Sequence, residues 1–307
     1  MKEILRRYDA NPVLTPEDMP FQCVAVYNGG AVKLGKEYIL LVRAEDATKF
    51  QYVYAARSRD GYHFTPDPEP LRFVAEDEVD YRKYTADAFY DPRINVVDGR
   101  ILITYAAYTF QYGCRIGIAE TTDFKTAKHI SFPHHISNRN AVIFPQKFDG
   151  MYVMLHRLDV HDNGNIWISR SPDLHFWGDC RVVVNRGSYR WDAHKIGAGT
   201  PPVKTDRGWL VLTHAVTTSC AGHYYTMGAI LLDLDDPAVL RGRSDGCILY
   251  PKMPYECNGF VPNVVFPCGL VVEPDDRVKV YYGAADNFEC LAESSIDEIL
   301  SAIVDVK

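Results

Sequence analysis

The chain of 307 residues is longer than a typical single domain, so it forms either two domains or one large all-β or α/β unit. With 47% hydrophobic and 24% charged residues, the composition is that of a folded globular protein and excludes a disordered or collagen-like chain. The formal net charge is -7 and no run of Lys or Arg exceeds two residues, which argues against nucleic acid as a partner.

The N-terminal segment predicts neither export nor membrane insertion. MKEILRRYDANPVLTPEDMP carries charges and prolines where a signal peptide needs an apolar run, and no stretch of about 18 apolar residues occurs. The eight cysteines lie far apart without a C-x-x-C pair, so we expect buried free thiols. The sequence therefore predicts a cytoplasmic protein with no membrane partner.

Strand-like runs recur in the same order along the chain. A polar turn leads into an apolar β-rich run in five places: LGKEYILLVRAED from Leu34, VDGRILITYAAYT from Val97, FDGMYVMLHRLD from Phe148, TDRGWLVLTHAV from Thr205 and PDDRVKVYYGAAD from Pro274. Each copy continues with a second strand that ends in a small-residue and Asp turn. Near the C-terminus, Ser295 to Ile303 predicts a short helix with a Ser N-cap.

The spacing of these copies indicates the fold. The turn residues are separated by 64, 51, 58 and 68 residues and are Gly35, Gly99, Gly150, Gly208 and Asp276. A unit of about 60 residues with roughly four short strands is typical of a propeller blade. We predict an all-β fold, a five-bladed β-propeller with a central substrate funnel, as one domain over residues 1–307. The alternative is a β-sandwich followed by a second β domain, although no linker separates two such units.

Polar residues interrupt the apolar inner strands and are the candidates for a site at the funnel. They are Asn28, Arg43, Asp46, Asp91, Arg93, Arg139, Arg157, Lys195, His214 and Asp286. A single charge at a strand end is usually solvated or salt-bridged, but several that converge from different blades indicate a ligand site.

Two carboxylates and four cationic side chains suggest the chemistry of this site. Asp91 follows an aromatic pair and precedes Pro92, which fits either an Asp-Pro turn or a general acid with a raised pKa. Asp286 in GAAD could accept a substrate hydroxyl or act as a base. Arg139, Arg157, Lys195 and His214 are flanked by apolar or small residues, so a bound anion is their natural partner.

The sequence lacks the residue spacing that is typical of other kinds of site. KIGAGTPP lacks the phosphate-loop pattern, and neither H-E-x-x-H nor G-x-S-x-G occurs. The histidines show no metal-ligand spacing beyond the adjacent His134 and His135. We therefore predict no metal and no organic cofactor.

Several segments together resemble glycoside hydrolase family 130. They include YNGGAVKLGKEYILLVRAED, YDPRI, RIGIAETTDF, NRNAVIFPQKFDGMYVMLHR, IWISRSPDLHFWG and WDAHKIGAGTPPVKTDRGWLVLTHAV, in order from about Tyr8 to Ile299. The resemblance implies a five-bladed propeller that acts on β-mannosides. Most members of that family are inverting phosphorylases, and some are hydrolases.

The resemblance also implies residue roles. Asp91, in the Asp-Pro-Arg motif, would be the catalytic acid, acting through the mannose 3-hydroxyl, and Tyr90 stands where many members have Glu. Phosphate would be bound by Arg139, Arg157, Lys195 and His214. The implied substrate contacts are Asn28, Arg43, Asp46 and Asp286 for the donor mannose, and Tyr90, His161, Tyr224 and Tyr225 for the acceptor.

The expected function is inverting phosphorolysis of β-mannosides, such as β-1,4-mannooligosaccharides or β-1,4-mannosyl-N-acetylglucosamine or -glucose, to α-D-mannose 1-phosphate. Inorganic phosphate would be a co-substrate, and we expect a homo-oligomer. Retention of the four phosphate-binding residues favours phosphorolysis, because a hydrolase would need carboxylates that activate water. The alternatives are a β-mannoside hydrolase, a β-1,2-mannoside phosphorylase and a non-catalytic carbohydrate-binding propeller.

Overall fold

A computed structural model describes residues 4–134, 136–160, 163–187, 191–220 and 222–306, without the side chains of Val160 and Asn163. Over these residues the strands form the blades of a five-bladed propeller, which confirms the predicted all-β fold. The helices are short, and among the described residues each is too short or too polar to span a bilayer.

The first two blades follow a short N-terminal strand, β1 (Arg6–Arg7), and a 3-10 turn (Pro16–Asp18). Blade 1 contains β2 (Cys23–Leu34), β3 (Glu37–Asp46), β4 (Gln51–Ser58) and β5 (Thr65–Pro66). Blade 2 contains β6 (Arg72–Val74), β7 (Ala88–Val97), β8 (Arg100–Thr109), β9 (Gly113–Thr121) and β10 (Thr126–Ser131), with helix α1 (Glu78–Thr85) between β6 and β7. Strand β6 runs parallel to β10 at the edge of blade 2.

The next two blades share one sheet. Blade 3 contains β11 (Asn138–Ile143), β12 (Tyr152–Val160), β13 (Asn163–Gly164), β14 (Ile166–Ser171) and β15 (Gly178–Val184). Blade 4 contains β16 (Lys195–Ala198), β17 (Val203–Thr205), β18 (Gly208–Ser219), β19 (Gly222–Leu232) and β20 (Leu240–Ser244). The short strand β13 pairs with both β12 and β16 and so joins the two blades.

Blade 5 completes the ring. Helix α2 (Pro254–Cys257) precedes β21 (Val265–Val272), β22 (Arg277–Ala284) and β23 (Phe288–Ser295), and α3 (Ile296–Ser301) and β24 (Ile303–Asp305) follow. The N-terminal β1 pairs with β23, whereas the C-terminal β24 returns to β20 of blade 4. The predicted Ser N-cap of α3 is confirmed, because Ser295 Oγ accepts a hydrogen bond from Glu298 N at 3.2 Å.

The predicted repeat turns lie at equivalent places in the blades. Each of the five joins two antiparallel strands. Gly35, Gly99, Gly150 and Asp276 adopt φ values of 61°, 78°, 77° and 60°, in the left-handed region that tight hairpins require. The repeat read from the sequence is therefore the hairpin of each blade.

The core consists of layers between neighbouring blades. On β3, Leu40 packs towards blade 5 and the adjacent Leu41 packs towards blade 2. On β8, Leu102 and Ile103 divide in the same way between blades 3 and 1. Successive strand residues point to opposite faces, so a strand that is buried on both faces reads as a continuous apolar run. This explains segments such as YILLV and ILITY.

The cysteines depart in part from their prediction. All eight are free thiols, as expected, but only four are buried: Cys23 and Cys257 are half-buried, and Cys180 and Cys220 are exposed. Cys180 lies on the outer strand β15, and Cys220 lies in the hairpin that follows β18. Distance from the blade interfaces accounts for their exposure.

Candidate active site

Local irregularities in three inner strands present polar side chains to the funnel. Asn28 on β2, Asp91 on β7 and Asn140 on β11 have φ values of 56°, 53° and 57°. The register of each strand with its neighbour shifts at that residue, so each lies in a β-bulge. Asn and Asp tolerate the left-handed region better than other residues with a Cβ, which suits them to this position.

These bulges line a pocket of about 180 Å³ near the propeller axis. Its polar lining comes from blades 1, 2, 3, 4 and 5, and its apolar lining comes from the segment before β21 and from β21 itself. The lining residues are Asn28, Arg43, Tyr90, Asp91, Arg139, Asn140, Arg157, Tyr225, Val261, Val264, Phe266 and Asp286. This volume is below the range of about 300–1000 Å³ for pockets that hold drug-sized ligands.

One side of the pocket carries acidic groups, here called the carboxylate cluster: Asp91 and Asp286. Asn28 Nδ2 donates a 2.7 Å hydrogen bond to Asp91 Oδ1, which fixes the direction of that carboxyl group. Asp286 lies in the turn between β22 and β23. Burial raises the pKa of Asp286 to about 7, Arg43 opposes this shift and the charge of Asp91 adds to it. Two acids in one pocket thus differ in their environments.

Arg43 is held against this cluster by its neighbours in blades 1 and 2. Its guanidinium lies 4.7 Å from the centre of the Tyr27 ring and 5.2 Å from that of Tyr90. Glu45 pairs with Arg43 and accepts a 2.7 Å hydrogen bond from the Tyr27 hydroxyl. These contacts fix a donor-rich planar group at the pocket wall.

Arg139 and Arg157 line the other side, and together with Arg93 and Lys195, which are not among the lining residues, they are here called the cation cluster. All four act electrostatically on His214, which places them around one imidazole although they come from blades 2, 3 and 4. Arg139 forms a 2.8 Å ion pair with Asp159. In the described part of the chain, Arg157 forms no ion pair with a carboxylate, and burial together with the charge of Arg139 lowers its pKa to about 10.

Lys195 approaches Arg157 across a glycine. A Cβ added to Gly164 would lie 2.8 Å from Lys195 Cβ and 3.1 Å from Arg157 Cδ. Gly164 pairs with Lys195 in the short parallel bridge between β13 and β16. The missing side chain at Gly164 therefore lets the stems of two cationic side chains lie side by side.

His214 differs from its predicted role as a cation. It is fully buried, and its Nε2 lies 2.7 Å from Arg157 Nη1, which can only donate. Burial and the surrounding cations lower the pKa of His214 well below its usual value. A neutral imidazole that accepts from Arg157 positions that guanidinium instead of adding a charge, and Gly197 leaves the space that His214 occupies.

Among the described residues, several buried polar atoms around the pocket lack a hydrogen-bond partner. Within the described ranges, buried side-chain atoms without a hydrogen-bond partner here are Asn28 Oδ1, Arg43 Nε, Arg93 Nη2, Arg139 Nε, Asn140 Oδ1, Arg157 Nε and His214 Nδ1. Buried polar atoms are normally paired, so such a group marks a place where a polar ligand supplies the missing partners. The mixture of donors and acceptors suits an anion beside a hydroxyl-rich molecule.

The structure brings together some predicted residues and not others. Asp46 is not among the pocket-lining residues, because its Oδ1 accepts from Thr48 N at 2.8 Å and Phe50 N at 3.1 Å and closes the turn after β3. Tyr225 lines the pocket, whereas the Tyr224 hydroxyl donates to Pro251 O at 2.8 Å, since neighbouring strand residues point to opposite faces. His161 lies outside the described residues.

Sequence reasoning missed part of the lining. Asn140 escaped notice, although its place after Arg139 in an apolar strand was a usable signal. The wall of Val261, Val264 and Phe266 carried no signal, because apolar residues near a strand resemble ordinary core.

A larger cavity of about 790 Å³ lies beside α1, between blades 1 and 2. Leu71, Phe73 and Phe89 contribute to its largely apolar wall. None of the residues predicted for the site lines this cavity. The convergence of acids and cations, rather than cavity size, therefore identifies the smaller pocket as the candidate active site.

Comparison with known proteins gives consistent matches over the whole chain. The family model for glycoside hydrolase family 130, described as beta-1,4-mannooligosaccharide phosphorylase, matches residues 2–305. A beta-1,4-mannooligosaccharide phosphorylase from Ruminococcus albus is 34% identical, over 98% of this chain and 91% of that protein. A beta-1,2-mannobiose phosphorylase from Listeria innocua is 30% identical, over 96% of this chain and 97% of that protein.

A solved structure shows the same likeness. The beta-1,2-mannobiose phosphorylase from Listeria innocua, in complex with beta-1,2-mannobiose, superposes with a TM-score of 0.86 at 29% identity. The match covers 97% of this chain and 98% of that one.

Proposed function

The chain belongs to glycoside hydrolase family 130, and on that premise we propose that it is an inverting β-mannoside phosphorylase that forms α-D-mannose 1-phosphate. Phosphorolysis of β-mannosides is the activity named for its relatives, including a 4-O-beta-D-mannosyl-D-glucose phosphorylase from Bacteroides fragilis. Inorganic phosphate is the co-substrate, and the enzyme is a glycosyltransferase-type phosphorylase.

One observation carries this proposal: a carboxyl group and a pair of arginines line the same small pocket. Asp91 lies on the acidic side, and Arg139 and Arg157 lie on the other. Two neighbouring guanidiniums in a buried site repel one another unless an anion joins them. Phosphate is an anion of suitable geometry for such a pair.

The proposed reaction assigns a task to each side of the pocket. Phosphate, held by Arg139 and Arg157 with Lys195 beside them, attacks the anomeric carbon of the terminal mannose on the face opposite the leaving oxygen. That carbon–oxygen bond breaks, and Asp91 supplies the proton that the departing acceptor sugar takes up, directly or through the mannose 3-hydroxyl. The new bond to phosphate has the α configuration because attack inverts the β-linked carbon.

The remaining predicted residues serve the donor sugar and the acceptor. Asn28, Arg43 and Asp286 line the carboxylate side of the pocket and offer hydrogen-bond donors and acceptors to mannose hydroxyls. Tyr90 and Tyr225 offer aromatic faces on which a sugar ring can lie. Positive charge on Arg139 and Arg157 serves the attacking anion, so no second carboxylate is needed as a base for water.

For linkage we propose β-1,4-mannosides as the substrate class. The description of the matching family model and the Ruminococcus albus relative support it. β-1,2-Mannosides are the second candidate, since a 1,2-beta-oligomannan phosphorylase from Thermoanaerobacter is also 34% identical, over 92% of this chain.

An assay of the reverse reaction tests reaction type and linkage together. Purified protein is incubated with α-mannose 1-phosphate and glucose, N-acetylglucosamine, mannose or mannobiose in turn, and phosphate release and product linkage are measured. We expect phosphate release that depends on the acceptor and yields a β-1,4-linked product. A β-1,2-linked product would replace the proposed linkage with the second candidate.

The forward reaction distinguishes a phosphorylase from a hydrolase. With β-1,4-mannobiose as substrate, mannose 1-phosphate should form only when phosphate is present. Release of free mannose at the same rate without phosphate would overturn the proposal in favour of hydrolysis. Omission of enzyme and of phosphate in parallel samples provides the controls.

A further inference from the structure

Away from the pocket, blade 3 brings together three side chains that can bind a metal. His134 lies between β10 and β11, His156 lies on β12, and Cys180 lies on β15. One potential ligand atom from each lies within 4.8 Å of the other two. These residues are separated by 22 and 24 positions in the chain, which is why their spacing predicted no metal site.

An irregularity in the outer strand places the thiol. Along β14 and β15, Ile168 pairs with Arg181 and Arg170 pairs with Gly178, so two residues of β15 face one residue of β14. Cys180 is one of the two residues that face Ser169, and it is released from the regular ladder. Its sulfur then reaches the imidazole of His156 across the blade.

The separation between these two residues matches a zinc geometry. His156 Nε2 and Cys180 Sγ are 3.6 Å apart. In a tetrahedral site with Zn–N of about 2.05 Å and Zn–S of about 2.3 Å, nitrogen and sulfur ligands lie about 3.6 Å apart. The ion therefore fits this pair without a change in distance, and His134, whose ligand nitrogen lies within 4.8 Å of the other two atoms, has to move closer to them.

The buried side-chain amide of Asn138 contacts the Nδ1 atoms of both imidazoles. Asn138 is fully buried, and its Nδ2 lies 3.1 Å from His134 Nδ1 and 3.0 Å from His156 Nδ1. Asn138 Oδ1 lies 3.3 Å from His156 Nδ1 and can accept from it when that nitrogen is protonated. In this orientation Nδ2 can only donate to the two Nδ1 atoms; rotation of the amide by half a turn puts its oxygen there to accept from both Nδ1–H groups, the arrangement by which metal-binding histidines leave Nε2 for the ion.

We propose that His134, His156 and Cys180 form a binding site for Zn²⁺ in blade 3. Two imidazoles and a thiolate are ligands that favour zinc over Mg²⁺ or Ca²⁺, which prefer oxygen. On binding, the Cys180 S–H bond breaks, a Zn–S bond forms and the proton passes to solvent. The exposure of Cys180 provides a route by which the ion enters.

Zinc binds a thiolate and neutral imidazoles, so binding releases the Cys180 proton and zinc affinity should increase with pH.

The position of the site suggests that the ion acts on the blade and not on substrate, with water in the fourth coordination position that three protein ligands leave open. His156 and Arg157 are neighbours on β12 and point to opposite faces of the blade. An ion at His156 would brace the strand that carries Arg157 from the side away from the pocket, without contacting substrate.

Metal titration of the full chain tests the site. Protein stripped with a chelator is titrated with Zn²⁺ in competition with a chromophoric zinc indicator, for the native chain and for the Cys180→Ala and Cys220→Ala variants. Cys220 is the matched control because it is also an exposed free thiol, in blade 4. We expect one zinc ion per chain in the native protein and in Cys220→Ala, and at least about tenfold weaker binding in Cys180→Ala.

Cobalt provides a readout of the ligand atoms themselves. Co²⁺ bound at this site should show thiolate-to-metal charge-transfer absorption in the native protein and in Cys220→Ala, and lose it in Cys180→Ala. Equal zinc affinity in the two variants, no saturable binding, or cobalt binding without the thiolate band would overturn the proposal and leave a thiol–imidazole hydrogen bond only. Thermal unfolding of the metal-free variants shows whether each is folded.

Discussion

The two sides of the pocket differ in how far the protein satisfies its own charges. On the carboxylate side, Asp91 accepts from Asn28, and Arg43 lies near both acids. On the cation side, Arg157 faces another arginine and a neutral imidazole. The chain thus positions the acid on one side, whereas on the other Arg139 pairs with Asp159, Arg157 has no carboxylate partner among the described residues, and the proposed function adds phosphate there. The proposed reaction uses this asymmetry, with a positioned acid on one side and a bound nucleophile on the other.

Removal of the acid should have the largest effect. Asp91→Asn keeps the size of the side chain but cannot supply a proton, so turnover of a β-mannoside should fall by about 10²- to 10⁴-fold. Initial rates of mannose 1-phosphate formation at saturating phosphate provide the measurement. The phosphate KM should change little, because the cation cluster is intact.

A matched control for this variant is Asp235→Asn, which changes an exposed aspartate of blade 4. It should retain native turnover. If Asp91→Asn were as active as the control, Asp91 would not be the acid.

Weakening of the cation side should appear mainly in phosphate binding. Arg157→Ala removes a buried guanidinium, and hydrogen bonds to charged groups contribute about 1.5–3 kcal/mol, so the phosphate KM should rise about 10- to 100-fold. The dependence of initial rate on phosphate concentration gives this value.

Arg181→Ala is the control for that loss, because it removes an exposed arginine from the same blade. Thermal unfolding of both variants tests whether Arg157→Ala is folded. An unchanged phosphate KM in folded Arg157→Ala would show that the anion binds elsewhere.

Asp286, the second acid of the pocket, should make kcat/KM depend on pH near neutrality. The pKa of Asp286 is raised to about 7 by burial, so its charge changes in the range where the enzyme is assayed. A plot of kcat/KM for the mannoside against pH should bend near pH 7 in the native protein, and Asp286→Asn should lose that bend. A bend that persists in Asp286→Asn would assign it to another group.

A third buried acid, Glu289, should make the free energy of unfolding depend on pH. Glu289 accepts from Gly29 N at 2.9 Å, next to Asn28, and burial raises its pKa to about 8. Between about pH 4.5 and pH 8 the unfolded chain has released this proton and the folded chain retains it. The free energy of unfolding should therefore fall as pH rises, by about 1.4 kcal/mol per pH unit from this group.

Glu289→Gln removes this titration, so its stability should fall less steeply with pH than that of the native protein. Urea unfolding at pH 5, 6, 7 and 8 compares the two slopes. Parallel slopes would mean that Glu289 is ionised in the folded protein.

The sequence predicted the ring and much of the pocket because both leave local signals. Hairpin turns need glycine or aspartate at positive φ, so Gly35 to Asp276 marked the blades. Charged residues are rare in apolar inner strands, so Asp91, Arg139 and Arg157 stood out, and the structure places all three in one pocket.

Side-chain direction was harder to predict. Asp46 and Arg43 lie on the same strand, yet Asp46 turns back to its own loop while Arg43 reaches the pocket. Tyr224 and Tyr225 are neighbours on β19, so their side chains point to opposite faces, and of the two only Tyr225 lines the pocket. Charge state was also hidden, since His214 becomes neutral through burial among cations that lie far apart in sequence.

By itself the sequence determined the number of blades, their hairpins and the family resemblance, because repeats, turn residues and motif order are properties of the chain. Only the tertiary structure decided which polar residues meet at the axis, added Asn140 and the apolar wall, and gathered His134, His156 and Cys180 in blade 3. Those outcomes depend on bulges, on the face to which each side chain points and on burial. Each is set by neighbouring strands and blades that no local pattern describes.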